Sequence, residues 1–196
     1  MDIAAYPLTP ERWPDFEAIF DARGCSIARG CWCMYFRESG KLDLPQGMTP
    51  PAFRKQQMQA LVTEGPPPGL LGYQGEEPVG WVALAEREAY PRLKRSPVAK
   101  PVDDQPVWSV TCFVVPSRFR HQGVATALLH AAIDHATERG VRILEAYPVD
   151  KPGRTDDNWL WYGTLGMYEK AGFIEVARRR PERPVVRRVL ASEHSP

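Results

Sequence analysis

The chain has 196 residues, 43% hydrophobic and 25% charged, with a net charge of +1; this allows one domain over 1–196 with a substantial core and excludes the basic excess of a general nucleic-acid binder. No apolar run is long enough to span a bilayer and the N-terminus lacks a signal peptide's basic and apolar regions, so a cytoplasmic protein without a membrane partner is expected. The four cysteines read as reduced thiols, and the twenty prolines, scattered among apolar segments, as stiff loops.

In chain order, residues 3–8 read as a first strand. Thr9 can cap a helix with Pro10 at its first position, running to about Asp21 through Trp13, Phe16, Ile19 and Phe20. Residues 23–47 are less regular and hold Gly24-Cys25 and Gly30-Cys31-Trp32-Cys33-Met34-Tyr35-Phe36. Thr49, Pro50 and Pro51 open a second helix to about Thr63, which Gly65-Pro66-Pro67-Pro68-Gly69 ends. Residues 70–74 and 78–87 form a predicted hairpin around Gly75-Glu76-Glu77, and 89–106 a loop.

Residues 107–115 are β-branched and aromatic and are closed by Pro116, as a buried fourth strand would be. A third helix starts at Gly123. Thr126, His130, Asp134 and Glu138 recur every four residues as a polar stripe, apolar residues such as Leu128, Leu129 and Ile133 cover the rest, and Gly140 supplies the stop. Residues 141–147 read as a fifth strand, 148–158 as a polar loop and 160–171 as mostly helix stopped by Gly172. A last hairpin, 173–179 and 184–190, turns at Arg180-Pro181-Glu182-Arg183. Strands alternating with helices, plus terminal hairpins, indicate an α/β or α+β fold with a mixed sheet.

The turn between the fourth strand and the third helix reads Ser117-Arg118-Phe119-Arg120-His121-Gln122-Gly123, and no Asp or Glu occurs from Gln105 to Ile133. The first N–H groups of a helix have no internal partner, a glycine lets a ligand approach the backbone, and the helix dipole favours an anion. The turn therefore suits a phosphate or pyrophosphate; a basic solvated turn is the other reading.

Arg120-His121-Gln122-Gly123-Val124-Ala125 matches the Arg/Gln-x-x-Gly-x-Gly/Ala signature of the GNAT superfamily of N-acetyltransferases, at the same place in the element order. Met167-Tyr168-Glu169-Lys170-Ala171-Gly172-Phe173 resembles that family's Tyr-Glu-Lys-x-Gly-Phe signature. By element order the resemblance covers roughly the whole chain. It implies a mostly antiparallel mixed sheet of about six or seven strands flanked by helices. It also implies a splay between the fourth and fifth strands that admits the pantetheine arm of acetyl-CoA.

Acyl transfer to an amine needs the thioester held near the amine, the amine deprotonated, and the departing thiolate stabilised. The resemblance assigns the pantetheine arm to the backbone of Phe113, Val114 and Val115, with 107–173 as the cofactor-binding core. It assigns the pyrophosphate to the backbone and side chains of Arg120, His121, Gln122, Gly123, Val124, Ala125 and Thr126. It makes Tyr168 the general acid beside the cofactor sulfur; a core aromatic packed on Phe173 is the alternative. Some family members carry a base glutamate on the fourth strand, where this chain offers only Ser109, Thr111 and Cys112. Glu145, partly buried near the end of the fifth strand, is the first substitute and Asp150 the second, against a salt bridge, a solvated carboxylate or a water chain. The family's asparagine after the fifth strand is replaced by Tyr147-Pro148-Val149-Asp150.

By the same resemblance residues 23–65 line the acceptor site, with Trp32, Tyr35 and Phe36 as an aromatic wall for an amine with an apolar or ring-shaped body, unless they are core aromatics. Cys31-x-Cys33 lacks a second Cys/His pair for a tetrahedral zinc site, so no metal is expected. Asp103, Asp104, Asp150, Asp156 and Asp157 fall in two loops that either flank the acceptor mouth or are simply solvated. The arginines from Arg178 to Arg188 read as charge decorating the terminal hairpin. The expected activity is acetyl transfer from acetyl-CoA to the primary amine of a small molecule by direct attack. The alternatives are a protein or peptide acceptor, and a non-catalytic acetyl-CoA sensor, which the missing glutamate motivates. A covalent route through Cys112 lacks a histidine to activate it. A homodimer is an expectation carried by the resemblance alone.

Overall fold

The computed structural model describes residues 3–151 and 161–190. Seven strands form one sheet in the order β1-β2-β3-β4-β5-β7-β6: β1 (Ala4–Pro7), β2 (Gly69–Gln74), β3 (Glu77–Glu86), β4 (Trp108–Val114), β5 (Ile143–Ala146), β6 (Ile174–Arg178) and β7 (Pro184–Val189). Neighbouring strands are antiparallel except for the parallel pair β4–β5. The helices are α1 (Trp13–Asp21), α2 (Ser26–Cys31), α3 (Pro50–Glu64), α4 (Pro91–Lys94), α5 (Val124–Glu138) and α6 (Leu165–Lys170). The mixed sheet flanked by helices that the motifs implied is thus present.

Strand alternation sorts the core into two layers. On β3, Val82 and Leu84 join Leu128, Leu129, Ala132 and Ile133 of α5, while Trp81 and Ala83 join Phe16, Phe20, Trp32, Met58 and Val62 on the opposite face. Each fully buried leucine of α5 contributes roughly 1.5–3 kcal/mol. The stripe Thr126, His130, Asp134 and Glu138 is exposed, as its spacing predicts. Thr49 caps α3 by accepting from the Ala52 amide at 3.4 Å. Thr9 makes no such bond; a single 3-10 turn at Pro10–Arg12 precedes α1 instead.

Sequence periodicity missed two short helices, α2 within 23–47 and α4 within 89–106. Both depend on tertiary packing: Trp32, which ends α2, stacks on Phe20 with centroids 5.2 Å apart, and Leu93 of α4 joins Tyr90, Tyr147 and Val185 in a third core. The helix predicted over 160–171 is α6 alone, preceded by a short turn at 161–162.

The splay is set by how little β4 and β5 share. They pair at Trp108–Leu144, Ser109–Glu145 and Val110–Ala146, after which the chain leaves the sheet and Val149 bridges to Thr164. Along its other edge β4 carries a bulge at Thr111, between the Ala83–Cys112 and Leu84–Val110 pairs. A bulge bends its strand and re-aims side chains, here where the fifth strand turns away.

The reading of the terminal arginines as hairpin decoration holds for Arg178 and Arg180, exposed on the β6 edge and its turn, and is corrected for Arg179, Arg187 and Arg188. β7 lies between β5 and β6, so Arg187 and Arg188 are not on an edge. Arg188 donates to the Ala171 carbonyl at 2.6 Å, and Arg179 to the carbonyls of Val98, Lys100 and Pro101 at 3.0, 2.8 and 2.9 Å. A guanidinium carries several donors in a fixed fork, which suits it to gathering loop carbonyls. Among the described residues no helix is long and apolar enough to cross a membrane.

Candidate active site

A cavity of about 280 Å³ opens at the splay. Its walls are the end of β4 (Phe113, Val114, Val115), the turn into α5, the α1–α2 corner (Gly24, Cys25, Ile27, Ala28) and Trp161. The corner is held there by Arg120, whose Nε donates to the Val115 carbonyl at 3.1 Å and whose Nη2 donates to the Gly24 carbonyl at 2.7 Å.

The turn presents backbone more than side chains. Gly123 is the N-cap of α5 at φ 82°, has no side chain to cap the helix, and a Cβ there would meet nothing within 4 Å. The first internal bond of the helix runs from the Ala127 amide to the Gly123 carbonyl at 3.0 Å, so the amides of Val124, Ala125 and Thr126 are left over by helix geometry. His121, also left-handed at φ 58°, completes the curl and is exposed. Several side chains of the turn are engaged within the protein. Arg120 is engaged as above, Arg118 pairs with Glu77 at 2.7 Å, and Gln122 donates to the Arg118 carbonyl at 2.6 Å. Val124 is buried in the α5 core, so only its backbone faces the turn. What the corner offers an anion is a ring of amides with a helix dipole behind them.

Tyr168 lies on α6, which Thr164 caps by accepting from the Met167 amide at 3.4 Å. The phenol is wholly buried and its Oη has no hydrogen-bond partner among the described residues. Its ring is wedged between Phe173 at 5.1 Å and Phe113 at 6.4 Å, centroid to centroid. Gly163, at φ 74°, allows the preceding backbone to close on it: a Cβ there would come within 3.0 Å of Tyr168 Cε2 and 2.5 Å of Met167 Cε. Burial, with a lesser push from Cys112, raises its pKa, so the hydroxyl keeps its proton. An unsatisfied buried hydroxyl costs about 1–3 kcal/mol, and Phe113, on which the Tyr168 ring packs, lines the cavity.

Glu145 is fully buried, where partial burial was expected. One carboxylate oxygen accepts from Arg87 Nη1 and, at 2.7 Å, from the Tyr147 hydroxyl; the other accepts from Arg187 Nε at 2.7 Å. Arg187 also binds Asp103 at 2.6 Å, and Ser109 meets the Tyr147 hydroxyl at 2.9 Å. This is the salt-bridge alternative realised twice over; with both oxygens held by guanidinium groups, Glu145 is not positioned as a base. Asp150 pairs with Arg178 at 2.7 Å, and its amide donates to the Glu182 carbonyl at 2.9 Å. That ties it to the β6–β7 hairpin.

A profile of the acetyltransferase (GNAT) family matches residues 32–173. This chain belongs to that family. Solved structures share its fold: arylalkylamine N-acetyltransferase 2 from Aedes aegypti has a TM-score of 0.59 at 10% identity, covering 97% of this chain and 100% of that one. The NatC complex bound to Gag peptide and CoA gives a TM-score of 0.53 at 16% identity, covering 97% and 100%. The ribosomal-protein-S18-alanine N-acetyltransferase of Escherichia coli gives 0.51 at 13%, covering 97% and 95%. No curated protein sequence matches the chain.

On the opposite face of this GNAT sheet, the three aromatic residues named for the acceptor wall separate. Trp32 is 3% exposed, with Phe20 stacked on one face of its ring and Trp13 and Phe16 nearby; it is core, and the wall assignment is corrected for it. Tyr35 is exposed and packs on Phe36 at 4.9 Å, and Phe36 meets Tyr162 at 6.0 Å. Tyr162 in turn carries the Arg183 guanidinium 4.1 Å above its ring. Asp103 is bound to Arg187 and so is not a free charge at a mouth, while Asp156 and Asp157 lie outside the described residues. Sequence reading missed the α1–α2 corner and Trp161, which have no period or motif to announce them. It also missed Arg87, whose partner Glu145 sits among apolar residues in β5; a charge inside an apolar strand was the available signal. Among the described residues no group of three or more His, Cys, Asp or Glu could hold a metal ion.

Proposed function

We propose that this protein transfers the acetyl group of acetyl-CoA to the primary amine of a small molecule, residues 1–196 acting as one acyltransferase unit. One observation carries the reading: an uncapped helix start lines the cavity at the end of β4, whose Phe113 packs on a buried phenol that has no hydrogen-bond partner among the described residues. The residues fit coenzyme A. The amides opening α5, with Gly123 facing open space, suit its pyrophosphate, and the exposed hydroxyl-bearing Thr126 stands beside them. The β4 backbone at Phe113 and Val114, paired with β3 on one edge but left by β5 beyond Val110 on the other, suits the pantetheine arm. The carbonyl of Val115 is already engaged by Arg120 and contributes only shape.

Bound acetyl-CoA supplies the acetyl group as a thioester. Tyr168 supplies a proton held on Oη, and its lack of a partner at rest means that the hydrogen bond to a departing thiolate forms only as charge develops. Interactions of that kind lower the barrier without strengthening ground-state binding. The α1–α2 corner and Trp161 narrow the cavity and limit water. Tyr35, Phe36 and Tyr162 offer an aromatic surface to the amine, which favours a small acceptor with a ring, the kind named for the arylalkylamine enzyme among the fold neighbours, over the protein acceptor named for the ribosomal one.

Thiol release from acetyl-CoA, followed across a panel of small amines and N-terminal peptides, tests the reading. Turnover on aromatic amines is expected, with Tyr168→Phe lowering kcat on the order of 10²-fold while calorimetric affinity for acetyl-CoA is kept. Turnover confined to peptides would replace the acceptor. Binding without turnover on any amine would make the protein a sensor, and failure to bind acetyl-CoA would remove the proposal altogether.

A further inference from the structure

Three rings of one aromatic group each carry a guanidinium. Arg92 stands 4.2 Å above Tyr35, Arg37 4.6 Å above Tyr90 and Arg183 4.1 Å above Tyr162. The rings are joined through Phe36, which packs on Tyr35, meets Tyr162 and lies against the core cluster that holds Tyr90. Trp161, whose ring is 6.1 Å from that of Tyr162, lines the cavity at the splay. The strip therefore runs from the cavity wall outward to Tyr35, which is 47% exposed.

Carboxylates do not match these charges. Glu38 reaches Arg92 at 3.9 Å but is already held by Arg54 at 2.6 Å. The acids nearest Arg183 along the chain and hairpin are taken, Glu182 by Lys151 at 3.4 Å and Asp150 by Arg178 at 2.7 Å. Arg183 itself makes no ion pair among the described residues. Its Nη2 donates to the Tyr147 carbonyl at 3.4 Å, long for a charged donor, just past the end of β5 at Ala146. Its Nε is buried and meets no acceptor among the described residues, and the same holds for the indole N–H of Trp161. A partly buried guanidinium short of acceptors is costly unless an anion completes it.

We propose that the acceptor is a ring-bearing amino acid, its carboxylate bound by Arg183 and its ring laid on the Tyr35–Phe36–Tyr162 strip. The inference rests on the acetyltransferase reading above and names the substrate class of that site. A carboxylate meets a guanidinium fork with two parallel hydrogen bonds, and stacking on Tyr162 holds the fork in one plane for them. The arginines over Tyr35, Tyr90 and Tyr162 repel an acceptor that brings only an ammonium charge; a carboxylate on the same molecule offsets that repulsion. Arg183 selects the acceptor and takes no part in the proton transfers.

The test follows acetyl-CoA-dependent thiol release on matched acceptors: phenylalanine against phenylalaninamide and phenethylamine, and tryptophan against tryptamine. The parent should favour the carboxylate-bearing member by about tenfold or more in kcat/KM. Arg183→Gln should raise KM for phenylalanine and tryptophan on the order of 10²-fold with kcat little changed, and move the amines without a carboxylate by no more than about twofold. Arg183→Lys, which keeps the charge and loses the fork, should fall between parent and Arg183→Gln. Arg180→Gln removes an exposed charge from the same turn and should leave the preference intact. A parent that turns over none of these acceptors or prefers those without a carboxylate, or an Arg183→Gln variant that weakens both kinds alike, would overturn the inference. Should Arg183→Gln fail to fold, the parent's preference and Arg183→Lys decide it. Calorimetric titration with acetyl-CoA separates the two levels. Binding, with turnover indifferent to the carboxylate, removes the amino acid alone; absent binding removes the acetyltransferase reading and this inference with it.

Discussion

Glu145 stands where three strands meet, opposite Ser109 of β4 on one side and Arg187 of β7 on the other. Its carboxylate neutralises two guanidinium groups whose side chains are each 8% exposed. Removing it leaves Arg87 buried without a counter-charge and Arg187 with Asp103 alone, so Glu145→Ala should lose roughly 3–5 kcal/mol of stability, read from urea unfolding, with Glu145→Gln losing less. A base would behave otherwise: Glu145→Gln would abolish turnover at unchanged stability, and that outcome would return Glu145 to the chemistry. Tyr168 shows how the same residue type can be read either way from sequence. Its ring packs on Phe173 as a core aromatic, while its hydroxyl has no hydrogen-bond partner among the described residues.

At the scale of elements, α5 carries an internal contrast that can be measured. An acidic side chain in the first turn of a helix favours the helix dipole by about 0.3–1 kcal/mol, but the same charge would repel a pyrophosphate at those amides. Thr126 is exposed in that turn. Thr126→Glu should therefore hold or slightly raise the melting temperature while weakening coenzyme A binding by on the order of tenfold or more. Affinity unchanged by the substitution would mean that the anion does not sit at this helix start. The β4–β5 pair makes a related point. Its parallel contact is three rungs long, and the gap that follows exists because Tyr147 and Pro148 leave the sheet, the hydroxyl of Tyr147 being held by Ser109, Glu145 and Arg87.

Across the whole molecule, Arg187 joins the 89–106 loop to the sheet through Asp103. Hydrogen bonds from Arg187, then from the Gln105 amide, lower the Asp103 pKa from 3.8 to about 2. Because the folded-state value is the lower one, the stabilisation is complete above pH 3.8 and is lost as pH falls through about 2. Melting temperatures of the parent and Asp103→Asn should accordingly differ at neutral pH and converge across that acid window. Curves that stay parallel down to the acid limit would show that the tie contributes nothing to acid stability. Asp103 read from sequence as one of a group of loop acids; only the position of Arg187 on an interior strand turns it into a clamp.

The local chemistry of the chain was enough for the strand–turn–helix at 107–138, because a β-branched run, a glycine and a four-residue polar stripe each have one backbone form that suits them. It was also enough for the two signatures, and through them for the family and the sheet. It left open which charged side chains face a ligand and which face one another. Arg118, Arg120 and Glu145 look alike in sequence to any free charge, and their partners Glu77, Gly24 and Arg87 lie far away along the chain. Ion pairs and buried hydroxyls are decided by distances of a few ångströms between segments, a quantity that spacing along one strand or helix does not contain. The tertiary structure thus moved Trp32 into the core and engaged the carboxylates first named for the base.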